Sequence, residues 1–496
     1  MAGMLTRRAA LAGLLATAAG AAAPVWADAP LRSIRPRARD PVYGAPALGP
    51  DIAQAVAAAG LAGKVGVMLE GLGTGGTLGS LDPDTARPPA SVAKTVTTLY
   101  ALDALGAAAR FATTLIATGP VEGGVLQGDL ILAGGGDPTL NTDDLAAMAA
   151  DLKAAGVRQV RGRFGYWEGA LPARAAIDDG QLPQLSYNPA LSGLNLNFNR
   201  VYFSWNRSGS RFALTLDARS DRLRPQVNMA RIDVVDAGWP PYTYRQEGGV
   251  ERWTIARASL SNSGGRWLPV REPGAYAADV FRTLAHAQGI TLGAPVSMRN
   301  RPQGTALVTH QSAPLTQILH DMLKYSTNVT AELVGLSASV ARNGRIGSTE
   351  ESAAAMTAWL ASALGVSAHF VDHSGLGAAS RISPSGMVAV LSGQGVADKL
   401  TPLLKPITLL DERGRALSQQ PARVLAKTGT LNYVSNLAGY MQTSRGKSMA
   451  FAIFSADMQA RAALGESDNE VPPGVRSWTG RARRLEQTLL RGWSAL

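Results

Sequence analysis

The two ends of the chain read as parts of one domain held apart by material of different character, and that constrains its fold more than any other feature. Near the amino terminus, residues 52–61 read as a short helix and 64–70 as a strand. A helix follows over 91–105, with Val92, Val96, Leu99, Leu102 and Leu105 on one stripe directly after Pro88-Pro89-Ala90. At the carboxy terminus, 423–427, 437–441 and 449–454 read as strands and 476–493 as a basic amphipathic helix. From about 119 to 305 the character changes to glycine-punctuated, strand-like pieces such as 211–216 and 252–255, with a helix near 276–287. Helical patterns return at 315–324, 329–340 and 350–364, the last opened by a Ser348/Glu351 capping box. A strand-helix start and a strand-strand-helix end separated by such material fit one α+β domain split by a β-rich insertion. With 496 residues there is room for roughly two to four domains.

Composition narrows the chemistry. There is no cysteine, which removes disulfide frameworks, Cys-ligated zinc or iron-sulfur sites, thiol nucleophiles and a lipid-anchored amino-terminal cysteine. The five histidines contain no His-Glu-x-x-His, so neither a metal nor another cofactor is expected. The formal charge of +11 suits an anionic partner, but the arginines beyond Arg32, Arg35, Arg37 and Arg39 are scattered and no nucleic-acid motif accompanies them. An anionic envelope polymer is the expected partner and nucleic acid is not.

Two familiar strings mislead. Gly71-Leu-Gly73-Thr-Gly-Gly76 matches a dinucleotide fingerprint, yet a hairpin turn and second strand follow where the fingerprint needs a helix. Gly446-Lys447-Ser448 lacks the earlier glycine of a phosphate loop and reads as a turn.

Residues 1–27 read as an export signal. Arg7-Arg8 precede an uncharged Ala/Gly/Leu run, and Val25-Trp26-Ala27 frames a cleavage site. The run resembles a twin-arginine signal more than an ordinary secretory one, and a periplasmic location follows. Cleavage would lower the net charge to +9, leaving a Pro/Arg-rich linker over 28–49. The terminal helix, with Trp478, Leu485, Leu489 and Trp493, has two readings: an interfacial anchor giving weak peripheral membrane association, or packing on the carboxy-terminal sheet. The stripe favours packing.

Ser91-Val-Ala-Lys94 places a hydroxyl and an amine on one helical face, where a lysine of lowered pKa can take the serine proton. By itself the pattern is weak, since Ser444-Arg-Gly-Lys447 matches too and an N-cap serine with a solvated lysine is the plainer account. Lys427-Thr428-Gly429 is the one Lys-Thr/Ser-Gly in the chain and ends a strand, where a lysine, a hydroxyl and a glycine suit a carboxylate on an extended peptide. Its plainer account is an edge strand with a solvated lysine. Ser-x-Asn occurs at Ser186, Ser204, Ser326 and Ser467; only Ser326-Thr-Asn328 lies between two helical patterns and between the other motifs.

The ordered set Ser-x-x-Lys, Ser-x-Asn, Lys-Thr-Gly resembles the penicillin-recognising serine enzymes. Further strings extend the likeness to the low-molecular-mass class C penicillin-binding proteins: Gly134-Gly-Gly-Asp137-Pro-Thr-Leu140, Ser312-Ala-Pro-Leu315, Ala331-Glu332, Asp372-His-Ser374-Gly375-Leu376 and Leu437-Ala-Gly-Tyr440. That family contains D-alanyl-D-alanine carboxypeptidases and endopeptidases with two domains inserted between the first and second motifs.

The resemblance implies a penicillin-binding-protein/β-lactamase-like transpeptidase domain, an antiparallel sheet flanked by helices, over 50–118 and 306–496. It implies inserted domain II over 119–197 and 269–305, and β-rich domain III over 198–268. The implied roles are Ser91 as nucleophile, Lys94 as proton acceptor and Ser326 as proton relay. Asn328 would orient Lys94 and the substrate amide, Lys427 and Thr428 would hold the terminal carboxylate beside Gly429, and the N–H groups of Ser91 and Thr430 would form the oxyanion hole. Peptidoglycan stem peptides are the implied substrates and β-lactams the implied covalent inhibitors.

The chain departs from the family at Thr327, often aspartate there, and at His373-Ser-Gly-Leu-Gly377. Asp178-Asp179 is a poor substitute for the tryptophan-rich, aspartate-containing segment of some relatives. A Ser-His-Asp triad through His373 lacks any Gly-x-Ser-x-Gly elbow. An esterase or β-lactamase on this fold would lack the insertion, and a silent peptidoglycan-binding scaffold would have lost a motif.

Overall fold

The computed structural model describes residues 51–73, 76–236, 238, 240–464 and 469–496. The expected export signal and linker lie outside the described residues. The two ends of the chain meet in one six-stranded antiparallel sheet, in the order Lys405–Pro406, Ala422–Leu431, Val434–Thr443, Ser448–Ala456, Lys64–Gly71, Thr77–Leu81. Side chains alternate across a strand, so one strand feeds two cores. From Ser448–Ala456, Met449, Phe451 and Ile453 pack with Leu485, Leu489 and Trp493 of the terminal helix Val475–Trp493. Ala450, Ala452 and Phe454 face the opposite layer, which holds Val92 of the turn Ala90–Val92 and Val96 and Leu99 of the helix Ala93–Leu105. The helices Leu315–Tyr325, Asn328–Asn343, Thr349–Leu364 and Pro384–Leu391 complete that layer. The basic terminal helix therefore spends its apolar stripe on the sheet. Among the described residues no helix is long and apolar enough to cross a membrane.

Ser348 caps its helix through the Glu351 N–H at 3.1 Å, but the Glu351 carboxylate accepts from Gly347 N at 2.7 Å, one residue earlier than a capping box requires. The strands on either side of the two decoy strings pair with each other, Lys64–Gly71 with Thr77–Leu81 and Val434–Thr443 with Ser448–Ala456, and among the described residues no helix follows directly on either string.

The chain leaves this domain at Phe111 and returns at Ser312, side by side. Phe111 N donates to Ser312 Oγ and Ser312 N to Phe111 O, each at 2.9 Å. Ala112–Ala117 and Thr305–Gln311 pair with each other inside the five-stranded sheet of the inserted region, beside Leu130–Gly134, Phe164–Trp167 and Pro295–Ser297. Limits at 118 and 306 would leave both strands with the outer domain. The change of sequence character trails the change of sheet, because the first inserted strand still reads like its neighbours. Two three-stranded sheets, over 200–217 with 263–269 and over 230–256, share one continuous core with the five-stranded sheet, from Leu115 through Phe203 and Trp253 to Tyr276.

Candidate active site

Ser91 sits in the 3-10 turn Ala90–Val92 that leads into Ala93–Leu105. The turn begins with Ala90 at φ 47°, a left-handed conformation that a side-chain-bearing residue holds only where packing enforces it. Ser91 does not cap the helix: Val92 occupies that position without a side-chain bond, and Ser91 Oγ instead accepts from Lys94 Nζ at 3.0 Å. Lys94 is fully buried and also donates to Asn328 Oδ1 and Ser374 O, both at 2.8 Å. Burial pushes its pKa down to about 8, with the carboxylates of Asp372 and Glu332 opposing the fall. Lys94 is thus an amine that can give up its proton near neutral pH while touching the serine oxygen.

Ser326 ends the helix Leu315–Tyr325 in the left-handed conformation, φ 61°, and Asn328 opens the next helix. This sharp corner turns Ser326 Oγ to Lys427 Nζ at 2.9 Å and Asn328 to Lys94. Lys427 is not solvated: it is 1 % exposed, although Lys405–Pro406 pairs only with Ala426 and Leu425 and, among the described residues, leaves the strand without a neighbour on that side from Lys427 onward. Its ammonium also donates to Thr428 O at 2.7 Å, and burial, with the charges of Lys94 and Lys405, holds its pKa well below the usual lysine value. Gly429 is needed for an approach that its sequence did not suggest. A Cβ there would lie 2.6 Å from Pro89 O and 3.2 Å from Ser91 N, so the glycine lets the strand press against the turn carrying Ser91.

A buried layer supports these groups. Glu332 accepts from His373 N at 3.1 Å and Ser374 N at 2.8 Å, and Asp372 accepts from Gly375 N at 2.8 Å. These bonds hold the segment whose Ser374 carbonyl faces Lys94. Burial, together with the charge of Asp372, raises the Glu332 carboxyl to about 7. His373 is buried and bonds Ser352 Oγ at 2.7 Å; burial lowers its pKa to about 3, so it stays neutral and structural, away from Ser91. His369, four residues earlier, is exposed on the Ala368–His369 strand.

A cleft of about 1110 Å³ opens over this cluster, lined by Ser91, Ser326, Asn328 and Thr430 from the outer domain and by Gln181 and Tyr187 from the insertion. Asn328 Nδ2 donates to Tyr187 O at 3.0 Å, so the insertion forms part of the site. Tyr187 falls within one of the other Ser-x-Asn strings, whose Asn188 bridges backbone: it donates to Asp178 O and accepts from Asp178 N, each at 2.8 Å. Asp178 turns its carboxylate to Gly180 N and Gln181 Nε2, at 3.1 and 2.8 Å. Ser444 and Lys447 flank the remote hairpin turn, and Ser467 lies outside the described residues.

The model of the D-Ala-D-Ala carboxypeptidase 3 (S13) family matches residues 49–470. The D-alanyl-D-alanine carboxypeptidase of Actinomadura sp. (strain R39) is 28% identical over 460 residues, covering 84% of this chain and 84% of the relative. The D-alanyl-D-alanine carboxypeptidase DacB of Haemophilus influenzae is 25% identical over 427 residues, covering 79% and 85%. Among solved structures, penicillin binding protein 4 from Haemophilus influenzae superposes with a TM-score of 0.72 at 22% identity, covering 89% of this chain and 99% of that one, which establishes the shared fold.

Proposed function

The chain belongs to the D-Ala-D-Ala carboxypeptidase 3 (S13) family, and on that premise we propose that it is a serine-type D-alanyl-D-alanine carboxypeptidase working through an acyl-enzyme on Ser91. The observation that carries this reading is the contact of Ser91 Oγ with a buried lysine whose pKa is about 8. Lys94 takes the Ser91 proton as Oγ attacks the carbonyl carbon of the penultimate D-alanine. The negative charge that develops on the carbonyl oxygen is met by the N–H groups of Ser91 and Thr430. Collapse breaks the peptide bond, and Ser326, held by Lys427, passes a proton to the departing D-alanine. Water then attacks the ester and regenerates Ser91.

On this reading Lys427 and Thr428 hold the terminal carboxylate of the stem peptide; Lys427 is buried and bonded to Ser326 Oγ, so it acts through its charge, while Thr430 of the same strand lines the cleft. Asn328 holds Lys94 through Oδ1, and the Nδ2 hydrogen not given to Tyr187 O is left to orient the substrate's acyl amide. A β-lactam enters as a mimic of the D-Ala-D-Ala terminus and stays as an ester on Ser91. Cleavage of peptide cross-links uses the same steps with a longer leaving group, which the open cleft accommodates.

The test is labelled penicillin on the mature protein, with the adduct located by peptide mass spectrometry. An adduct on Ser91 that Ser91→Ala abolishes is expected. A folded wild type that takes no label would favour a silent peptidoglycan-binding protein. We further assign the chain to the periplasm by a twin-arginine route, on the Arg7-Arg8 pair and the weakly apolar run behind it. An Arg7→Lys/Arg8→Lys chain should remain in the cytoplasm; normal export of that variant would point to the general secretory route.

A further inference from the structure

Arg271 lies in the inserted region, just before the helix Pro273–Ala287, and is outside the site described above. Its guanidinium donates to three backbone carbonyls of one loop: Ala175 at 2.9 Å, Asn188 at 2.8 Å and Pro183 at 2.8 Å. Its own backbone is pinned, since the buried Glu251 accepts from Arg271 N at 2.7 Å and Glu272 N at 2.8 Å. The loop it grips carries Tyr187, whose carbonyl accepts from Asn328 Nδ2, while Asn328 Oδ1 accepts from Lys94 Nζ. Hydrogen bonds joined by short covalent steps therefore link Glu251, Arg271, the 175–188 loop and Asn328 to the proposed general base.

We propose that Arg271 is a positioning residue for the chemistry at Ser91: it fixes the Tyr187 carbonyl against the Asn328 amide and so aims Asn328 Oδ1 at Lys94. The inference rests on the acyl-enzyme reading above. Its physical basis is the asymmetry of the amide. A carbonyl can only accept, so Tyr187 O selects the NH2 end of Asn328, and the oxygen end is left for the lysine. If the loop drifts, the amide is free to rotate, and Lys94 loses a partner that holds it within reach of Ser91 Oγ. A guanidinium suits this task because its planar fork spans several acceptors at once, which an ammonium on a flexible stem does less well. The loop has a second anchor at Arg174, which bonds Thr349 Oγ1 at 2.6 Å and pairs with Glu350 of the outer domain. That anchor holds the loop's amino-terminal end in place, whereas Arg271 grips Asn188, the residue next to Tyr187.

The test is a double-mutant cycle on the full mature chain, reading kcat and KM on a peptide ending in D-Ala-D-Ala and the acylation rate with labelled penicillin. Arg271→Ala is expected to lower kcat and acylation on the order of tenfold with KM within about twofold, because orientation is lost and binding is not. Asn328→Ala should cost more, and the double variant should be no slower than Asn328→Ala alone, since both changes act through one amide. Should Arg271→Ala not fold, Arg271→Lys is carried through the same cycle, with a smaller loss and the same lack of additivity expected. Losses that multiply in the double variant, or a wild-type rate for Arg271→Ala, would overturn the proposal while leaving the acyl-enzyme reading intact. A folded wild type that neither takes penicillin nor cleaves the peptide would overturn both.

Discussion

At the scale of single residues, the decisive quantity is the protonation of Lys94. A lysine at its ordinary value of 10.5 would be almost wholly charged at neutral pH and unable to accept the Ser91 proton; burial brings it to about 8. Only the neutral amine is a base, so acylation by penicillin should rise with pH through a midpoint near 8. A midpoint near 10.5 would remove Lys94 from that role. Asp372 favours the ammonium, so Asp372→Asn should move the midpoint to lower pH, measured as the same pH-rate profile. Ser91, Lys94, Ser326 and Lys427 were legible because their spacing and order carry chemistry. Glu332 and Asp372 were visible only as strings shared with a family, since nothing local says that positions 332 and 372 meet at the segment facing Lys94. Arg271 left no local signal, and Tyr187 only its place inside a Ser-x-Asn string set aside by position: the bonds they make end on backbone carbonyls, which every residue possesses.

At the scale of elements, strands and helices that face a core on a clear period were readable, and the terminal helix is an instance. The helix Thr142–Ala154 was not, because its stripe of Leu145, Met148 and Leu152 is diluted by alanines within a stretch dominated by strands. Two elements carry predictions. Gly429 presses its strand against the Ser91 turn, so Gly429→Ala should cost about 1–3 kcal/mol in thermal unfolding and nearly abolish penicillin acylation. Full acylation in that variant would show that the strand can retreat without disturbing the serine. In the terminal helix, the buried Glu486 accepts from Ser435 Oγ at 2.8 Å, and burial raises its carboxyl from 4.5 to about 7. Between those values the folded chain keeps a proton that the unfolded chain has released, so stability falls as pH rises across the window and stays lower above it. Glu486→Gln should therefore raise the free energy of unfolding at pH 8, by up to about 3 kcal/mol, and gain nothing at pH 4. An equal gain at both pH values would mean that packing, not ionisation, sets the effect.

At the scale of the whole molecule, the insertion is built into the enzyme and not merely attached to it. Its two crossing points are adjacent at Phe111 and Ser312, as a removable module would require, yet the two regions also share a buried seam beyond those crossings. Leu171, Ile177 and Leu191 from the insertion share one buried cluster with Val329, Leu333, Leu336 and Leu376 from the outer domain. This cluster lies beneath the loop that meets Asn328, so the packing that joins the two regions also supports the geometry of the site. The sequence hid this seam because its apolar residues are divided between segments about 150 positions apart, and each half looks like an ordinary core stripe. Leu333 is fully buried in the seam, and Leu333→Ala should cost about 2–5 kcal/mol through lost contacts and the cavity left behind. The informative measurement is hydrogen exchange. If the regions are one cooperative unit there, protection should fall both in the helix Asn328–Asn343 and in the 171–191 segment, and acylation of Ser91 should slow with it. Loss confined to the helix would make the insertion an independent body that reaches the site through the Tyr187 contact alone.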